Sequence, residues 1–446
     1  MKPLLFTNKD LQKLITPMIV EQLLAVLVGM ADTIMVAAVG ESAVASVSLV
    51  DNINVLLIGL FMALATGGAV VTGQFLGHGD VKKASSAAQQ LVFFMALFSV
   101  LIMALVYVGK WFILHIVFGQ IEPDVMAYAD TYLMIVMASI PFIAIYNAGA
   151  AIFRVQGNSA VSMKVSILMN GLNAAGNAIL VLGLHSGVEG VAIPTLISRI
   201  VAAVMIISLL FSQTLTLHLS RKMKIQFDWG MIRRILRIGI PSGVENSMFQ
   251  LGKLVLLSLI STFGTVAITA NAVSNTVAAF AILPGQAIGM GMVTVVSQCV
   301  GADDHEQVRF YTKKLMKYAI GAMAVTNLLV MAAIPLITAA YQLSPETARI
   351  TRQILIFHSI CAIFIWTFSF TLPNALRAAN DVTFAMVVSL LSMWFCRIVM
   401  GVILGAWMGL GVLGIWIAMI LDWCVRSLFF LTRYHSGKWK KKKKLI

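Results

Sequence analysis

Pro17-Met18-Ile19-Val20-Glu21 returns 224 residues later as Pro241-Ser242-Gly243-Val244-Glu245. The same offset carries Val39-Gly40…Gln74-x-x-Gly77 onto Phe263-Gly264…Gln298-x-x-Gly301. After a one-residue slip, Phe153-Arg154 returns as Leu376-Arg377, and Gly187-Val188-x-Gly190-Val191-Ala192 returns as Gly411-Val412-x-Gly414-Ile415-Trp416. The chain is written twice. A parallel duplication of hydrophobic segments is one of the plans on which membrane transporters are built, with a site between the repeats.

Composition sets the class independently. Of 446 residues, 60% are apolar and 11% charged, well outside the range of a soluble domain. Apolar runs long enough to cross about 30 Å of hydrocarbon fall at 14–38, 48–76, 87–109, 127–152, 160–183 and 188–213. The second half gives 238–262, 271–300, 315–340, 353–376, 382–405 and 410–432. The expectation is an all-α polytopic membrane protein of twelve transmembrane helices. Residues 1–213 form one six-helix bundle, 214–234 a cytoplasmic linker, and 235–446 a second bundle with a basic tail. The opening residues are too polar for a cleavable signal peptide.

The 32 lysines and arginines set the orientation. With a cytoplasmic amino terminus, only Lys110, Arg349 and Arg352 fall outside, so both termini are predicted to be cytoplasmic. Positive charge concentrates in the bridge (Arg221, Lys222, Lys224, Arg233, Arg234, Arg237) and in the tail 438–444. These clusters read as topology determinants beside anionic headgroups rather than as a nucleic-acid surface. Cys299, Cys361, Cys396 and Cys424 lie in or at the edge of spans without a CxxC pair, which suggests neither disulfides nor zinc. No HExxH, GxSxG or P-loop occurs. The chain therefore reads as neither an enzyme nor a nucleotide-driven pump, has no cofactor, and draws its energy from an ion gradient.

Chemistry then rests on ionisable residues inside the spans, each costing at least about 2.5 kcal/mol at mid-membrane unless paired or wetted. Asp32 lies near the outer end of span one, Asn177 near that of span five, and Thr195 near the outer start of span six. At 1.5 Å per residue all three reach a common depth, roughly 10 Å below the outer boundary, with Asn173 one turn deeper on the same face as Asn177. A carboxylate, two amides and a hydroxyl can ligate a monovalent cation or carry and hold a proton. Their second-half counterparts are Leu256, Cys396, Met400 and Met419. Polarity is kept in one half only, which favours a coupling site over interhelical glue.

The segments Asp32-Thr33-Ile34-Met35, Gln74-x-x-Gly77, Arg154-x-Gln156-Gly157-Asn158, Asn173-x-x-x-Asn177 and Gly187-Val188-x-Gly190-Val191-Ala192-x-x-Thr195 resemble the multidrug and toxic compound extrusion (MATE) family along nearly the whole chain. The resemblance implies two pseudo-symmetric six-helix bundles and export of organic, often cationic, compounds in exchange for Na+ or H+. It places the cation or proton site at Asp32, Asn173, Asn177 and Thr195. Some members carry a further acidic residue on span five, where this chain has Asn177, and the acidic residue some sodium-coupled members use on span ten is absent. His358 is the titratable group there, a candidate proton relay.

Glu21 and Glu245, repeated four residues after a proline, are expected to line a substrate cavity, with Lys253 neutralising a carboxylate when the cavity is empty. Asp422 and Arg426, one turn apart, together with Arg397, look like structural ion pairs. Arg199 has no evident acidic neighbour in sequence. Gly285, Gly289 and Gly291 read as a stripe for close helix packing. The expected protein is a monomeric, multi-pass antiporter of a bacterial inner membrane. It carries a small organic substrate, with the lipid bilayer as surroundings and no nucleic acid. The alternative is a flippase for lipid-linked oligosaccharides or lipids, which calls for more arginine and lysine around an anionic headgroup.

Overall fold

The computed structural model describes residues 3–119, 121–220, 227–442 and 445. Among them, twelve long helices carry the chain and no strand occurs. The first six are α1 (Asn8–Ala37), α2 (Glu41–Gly77), α3 (Val81–Val108), α4 (Pro123–Val155), α5 (Ser159–Gly183) and α6 (Glu189–Leu210). The second six are α7 (Trp229–Ser261), α8 (Thr265–Gly301), α9 (His305–Ala340), α10 (Pro345–Ala378), α11 (Val382–Trp407) and α12 (Gly411–His435). Eleven of these are long and apolar enough to cross a membrane. The remaining one, α7, has the length but carries Arg233, Arg234, Arg237, Glu245 and Lys253.

Duplication reaches the helix ends. The helices α2 and α8 are each 37 residues long, and both follow a glycine at positive φ, Gly40 at 135° and Gly264 at 89°. That backbone region is open to glycine without steric cost. Both α3 and α9 start behind an aspartate cap: Asp80 accepts from the Lys83 amide and Asp304 from the Gln307 amide. Helices therefore begin at turns and caps, several residues ahead of the apolar runs. Runs expected at 48–76 and 271–300 belong to helices starting at Glu41 and Thr265.

The chain divides into two compact units, residues 8–243 and residues 244–446 joined by the opening residues. In the amino-terminal unit α1 packs on α5, α5 on α6, and α4 on α2, α3 and α6. In the carboxy-terminal unit α8 packs on α9 and α10, and α12 on α10 and α11. The unit boundary falls inside α7 rather than in the 214–234 bridge, because the first half of α7 lies hard against α2. A Cβ on Gly67 would meet the Ile235 carbonyl oxygen at 2.5 Å and the Gly239 nitrogen at 2.9 Å. The opening residues join the other unit, where Leu5 N donates to Gln307 and Tyr311 both accepts from Phe6 N and donates to Phe6 O. Arg221, Lys222, Lys224, Lys443 and Lys444 lie outside the described residues.

Candidate functional site

In the amino-terminal unit three helices bring the sequence-predicted polar residues together. Asn177 Nδ2 donates to Asp32 Oδ1 at 2.8 Å, linking α5 to α1. One turn away, Asn173 Nδ2 donates to Thr195 Oγ1 at 3.4 Å, linking α5 to α6, and Thr195 donates in turn to the Val191 carbonyl. Glycine makes this approach available. A Cβ on Gly176, between the two asparagines, would sit 2.7 Å from Pro194 Cβ. Immediately after Asn177 the helix widens into π-helical turns over Ala178–Gly183, a distortion that often marks functional positions.

Two acceptors in this cluster are unused. Asn173 Oδ1 and Asn177 Oδ1 are buried without a hydrogen-bond partner, a cost that buried amide oxygens rarely bear in native structures. Together with the Asp32 carboxylate, these are hard oxygens of the kind that can ligate a small monovalent cation or accept from a protonated carboxyl group. Among the described residues, no three His, Cys, Asp or Glu side chains gather as a metal site.

A second polar group lies in the same unit. Arg199 donates to Ser139 Oγ at 2.8 Å and to Asn54 Oδ1 at 3.3 Å, while Tyr132 donates to Asp51 at 3.3 Å. Sequence spacing gave Arg199 no partner, because these residues come from α2 and α4. Asp51 is half-buried beside the Tyr132 hydroxyl.

The repeated glutamates have repeated partners. Glu21 is buried and accepts from Arg154 at 2.7 Å, from Tyr146 and from Ser162. Glu245 is equally buried, takes Arg377 through both carboxylate oxygens at 2.7 and 2.8 Å, and has Arg426 at 3.5 Å. Expected to line a substrate cavity, both are paired with arginines inside their own units. Local periodicity could not reveal Arg154 and Arg377, which lie 133 and 132 residues away. The signal was present nonetheless, since acid and arginine recur together at nearly one offset.

In the carboxy-terminal unit Asp422 accepts from Ser392, and its other oxygen stands 3.8 Å from Arg397, too far for a hydrogen bond. Arg426 turns to Glu245 and Ser389 instead of Asp422. Lys253, expected to neutralise a carboxylate, lies over the Phe249 ring at 5.1 Å with no ion-pair partner among the described residues. His358 is buried edge-on against Trp416 and Trp423, its Nδ1 without a partner.

The MatE family model matches residues 17–179 and again residues 241–403, two matches displaced by the repeat offset. The chain belongs to the MATE family. It is a membrane transporter, not an enzyme. The curated relatives of this MATE chain include the "Uncharacterized transporter YisQ" of Bacillus subtilis (strain 168), 29% identical over 96% of this chain and 94% of that one. They also include the "Probable multidrug resistance protein NorM" of Thermotoga maritima, 25% identical over 98% of this chain and 94% of its own length. A solved outward-facing structure of a multidrug resistance MATE family transporter of the MOP superfamily shares the fold. Its TM-score is 0.89 at 20% identity, covering 97% of each chain.

Proposed function

We propose that this MATE chain exports small organic compounds by alternating access, driven by inward movement of Na+ or H+ through the amino-terminal unit. The observation that carries this reading is the oxygen cluster of Asp32, Asn173, Asn177 and Thr195, with two buried amide oxygens unpaired. A cation arriving there can meet those acceptors, a proton on Asp32 offers one of them a donor, and either removes a half-buried negative charge. Because the ligands come from α1, α5 and α6, occupation favours one packing of these helices over another, and coupling follows when ion and cargo stabilise different states. The multidrug resistance names of curated relatives support small organic cargo. A plasma-membrane location with both termini cytoplasmic follows the distribution of lysine and arginine.

The test is efflux of a fluorescent organic compound from proteoliposomes under a sodium gradient and, separately, a pH gradient. Asp32→Asn is expected to abolish driven efflux while the purified protein keeps its elution profile and melting temperature. Wild-type efflux by that variant removes Asp32 from the mechanism. Absence of transport under either gradient in the unaltered protein directs attention to the flippase alternative.

A further inference from the structure

We propose that the carboxy-terminal unit holds a binding site for an oxyanion, a carboxylate or phosphate carried on an organic molecule, between Lys253 of α7 and Arg397 of α11. The Lys253 ammonium lies 5.1 Å and the Arg397 guanidinium 5.0 Å from the centroid of one ring, Phe249. Two like charges sharing one aromatic ring stand within about 10 Å of each other. They repel unless an anion bridges them.

The local charge balance leaves that anion to be supplied. Three arginines, Arg377, Arg426 and Arg397, stand at Glu245 and Asp422, and Lys253 adds a fourth cation on the Phe249 ring that Arg397 also covers. Glu245 is saturated by Arg377 and approached by Arg426. Asp422 is committed to Ser392 and reaches Arg397 only at 3.8 Å. Arg397 Nε is buried with no acceptor, in a side chain that is 10% exposed. Lys253 is exposed at the protein surface, although it sits eight residues before the end of a membrane-length helix. An ammonium at that depth is retained where water or an anion meets it, since hydrocarbon does not solvate it. A buried guanidinium fork with a free donor near an exposed ammonium is the chemistry that recognises carboxylate and phosphate oxygens.

This inference rests on the export reading only in making the anion part of the cargo. It gives that cargo an acidic group, as in an organic acid, a zwitterion or an anionic amphiphile. A lipid headgroup offers the same oxygens, and the experiment separates the two sources.

Pyrenebutyrate and its uncharged analogue pyrenebutanol are titrated into the full chain in phosphatidylcholine nanodiscs, read by energy transfer from protein tryptophan. The unaltered protein is expected to favour the acid over the alcohol by about tenfold or more, in the range of a charge-assisted contact. Lys253→Met is expected to remove most of that preference. So is the pair Arg397→Met with Asp422→Asn, which avoids stranding a buried carboxylate. Equal binding of acid and alcohol to the unaltered protein overturns the proposal, as does an undiminished preference in Lys253→Met, whose exposed position makes misfolding a poor explanation. Competition by added phosphatidylglycerol assigns the site to a headgroup, and its absence to free organic anions; either supports the site. The titration is an equilibrium measurement, so lost gradient-driven efflux leaves it standing, and a missing acid preference leaves ion coupling at Asp32 untouched.

Discussion

At the scale of single residues, the decisive feature is that each repeated glutamate is matched by an arginine. A buried carboxylate bonded to guanidinium contributes little net stability, but removing one partner strands the other, at a cost of about 3–5 kcal/mol. Glu21→Gln leaves Arg154 without its counter-charge, although Tyr146 and Ser162 can still meet a neutral amide. Glu245→Gln strands two arginines, Arg377 and Arg426. Both variants are therefore expected to melt below the unaltered protein in detergent, with Glu245→Gln the lower. Adding Arg154→Gln to Glu21→Gln is expected to recover part of the loss, since the pair is coupled. A Glu21→Gln variant at least as unstable as Glu245→Gln would contradict this ranking. Each glutamate and each arginine was visible in the sequence. Their pairing showed only indirectly, in the nearly shared repeat offset of acid and arginine, because it is made across more than a hundred residues and only the fold closes that distance.

At the scale of helices, glycines decide how closely neighbours lie. The repeated Gly-Val-x-Gly motif has a physical reason in both halves: Gly190 and Gly414 sit where two consecutive helices turn against each other. A Cβ on Gly414 would meet the backbone of Leu404 and Gly405 at 2.6 to 2.7 Å. Backbone cannot yield as a side chain does, so Gly414→Ala is expected to lower the melting temperature markedly. Gly252→Ala is expected to cost little, because its nearest neighbour is the flexible end of Met393. Gly176→Ala pushes on the Pro194 ring and so on the spacing between α5 and α6. It is expected to reduce gradient-driven efflux more than it reduces the yield of folded protein, measured as transport per reconstituted molecule. The sequence marked Gly285 and Gly289 as packing positions, and they do face Trp366 and Asn374 of α10. It could not mark Gly176, an unspecified position within Asn173-x-x-x-Asn177 that matters because Pro194 faces it.

At the scale of the molecule, one duplicated plan serves two unlike interiors. The offset of the repeat, the helix ends and the aspartate caps persist in both halves, so the architecture was legible from apolar runs and internal repetition alone. On the proposed mechanism, function is carried where the copies diverge. The counterpart positions of the oxygen cluster are apolar: Leu256 and Met419 are buried in a core with Ile398, Trp366 and Trp416. The side chains of that cluster carry no oxygen to offer an ion, and its variants should report on packing alone. Leu256→Ala is expected to cost about 2–5 kcal/mol of stability through the cavity it opens. Met419→Leu, which roughly conserves volume, is expected to cost under about 1.5 kcal/mol. Neither is expected to change which gradient drives efflux, or the residual dependence on it per folded molecule. Paired proteoliposome assays of Met419→Leu and Thr195→Val, its polar counterpart across the repeat, make the comparison direct. Thr195→Val removes the hydroxyl that Asn173 meets and is expected to weaken coupling, whereas Met419→Leu is expected to leave it intact. Equal loss in both would mean that the two interiors share the work of coupling, and that the divergence of the repeats reflects packing rather than chemistry.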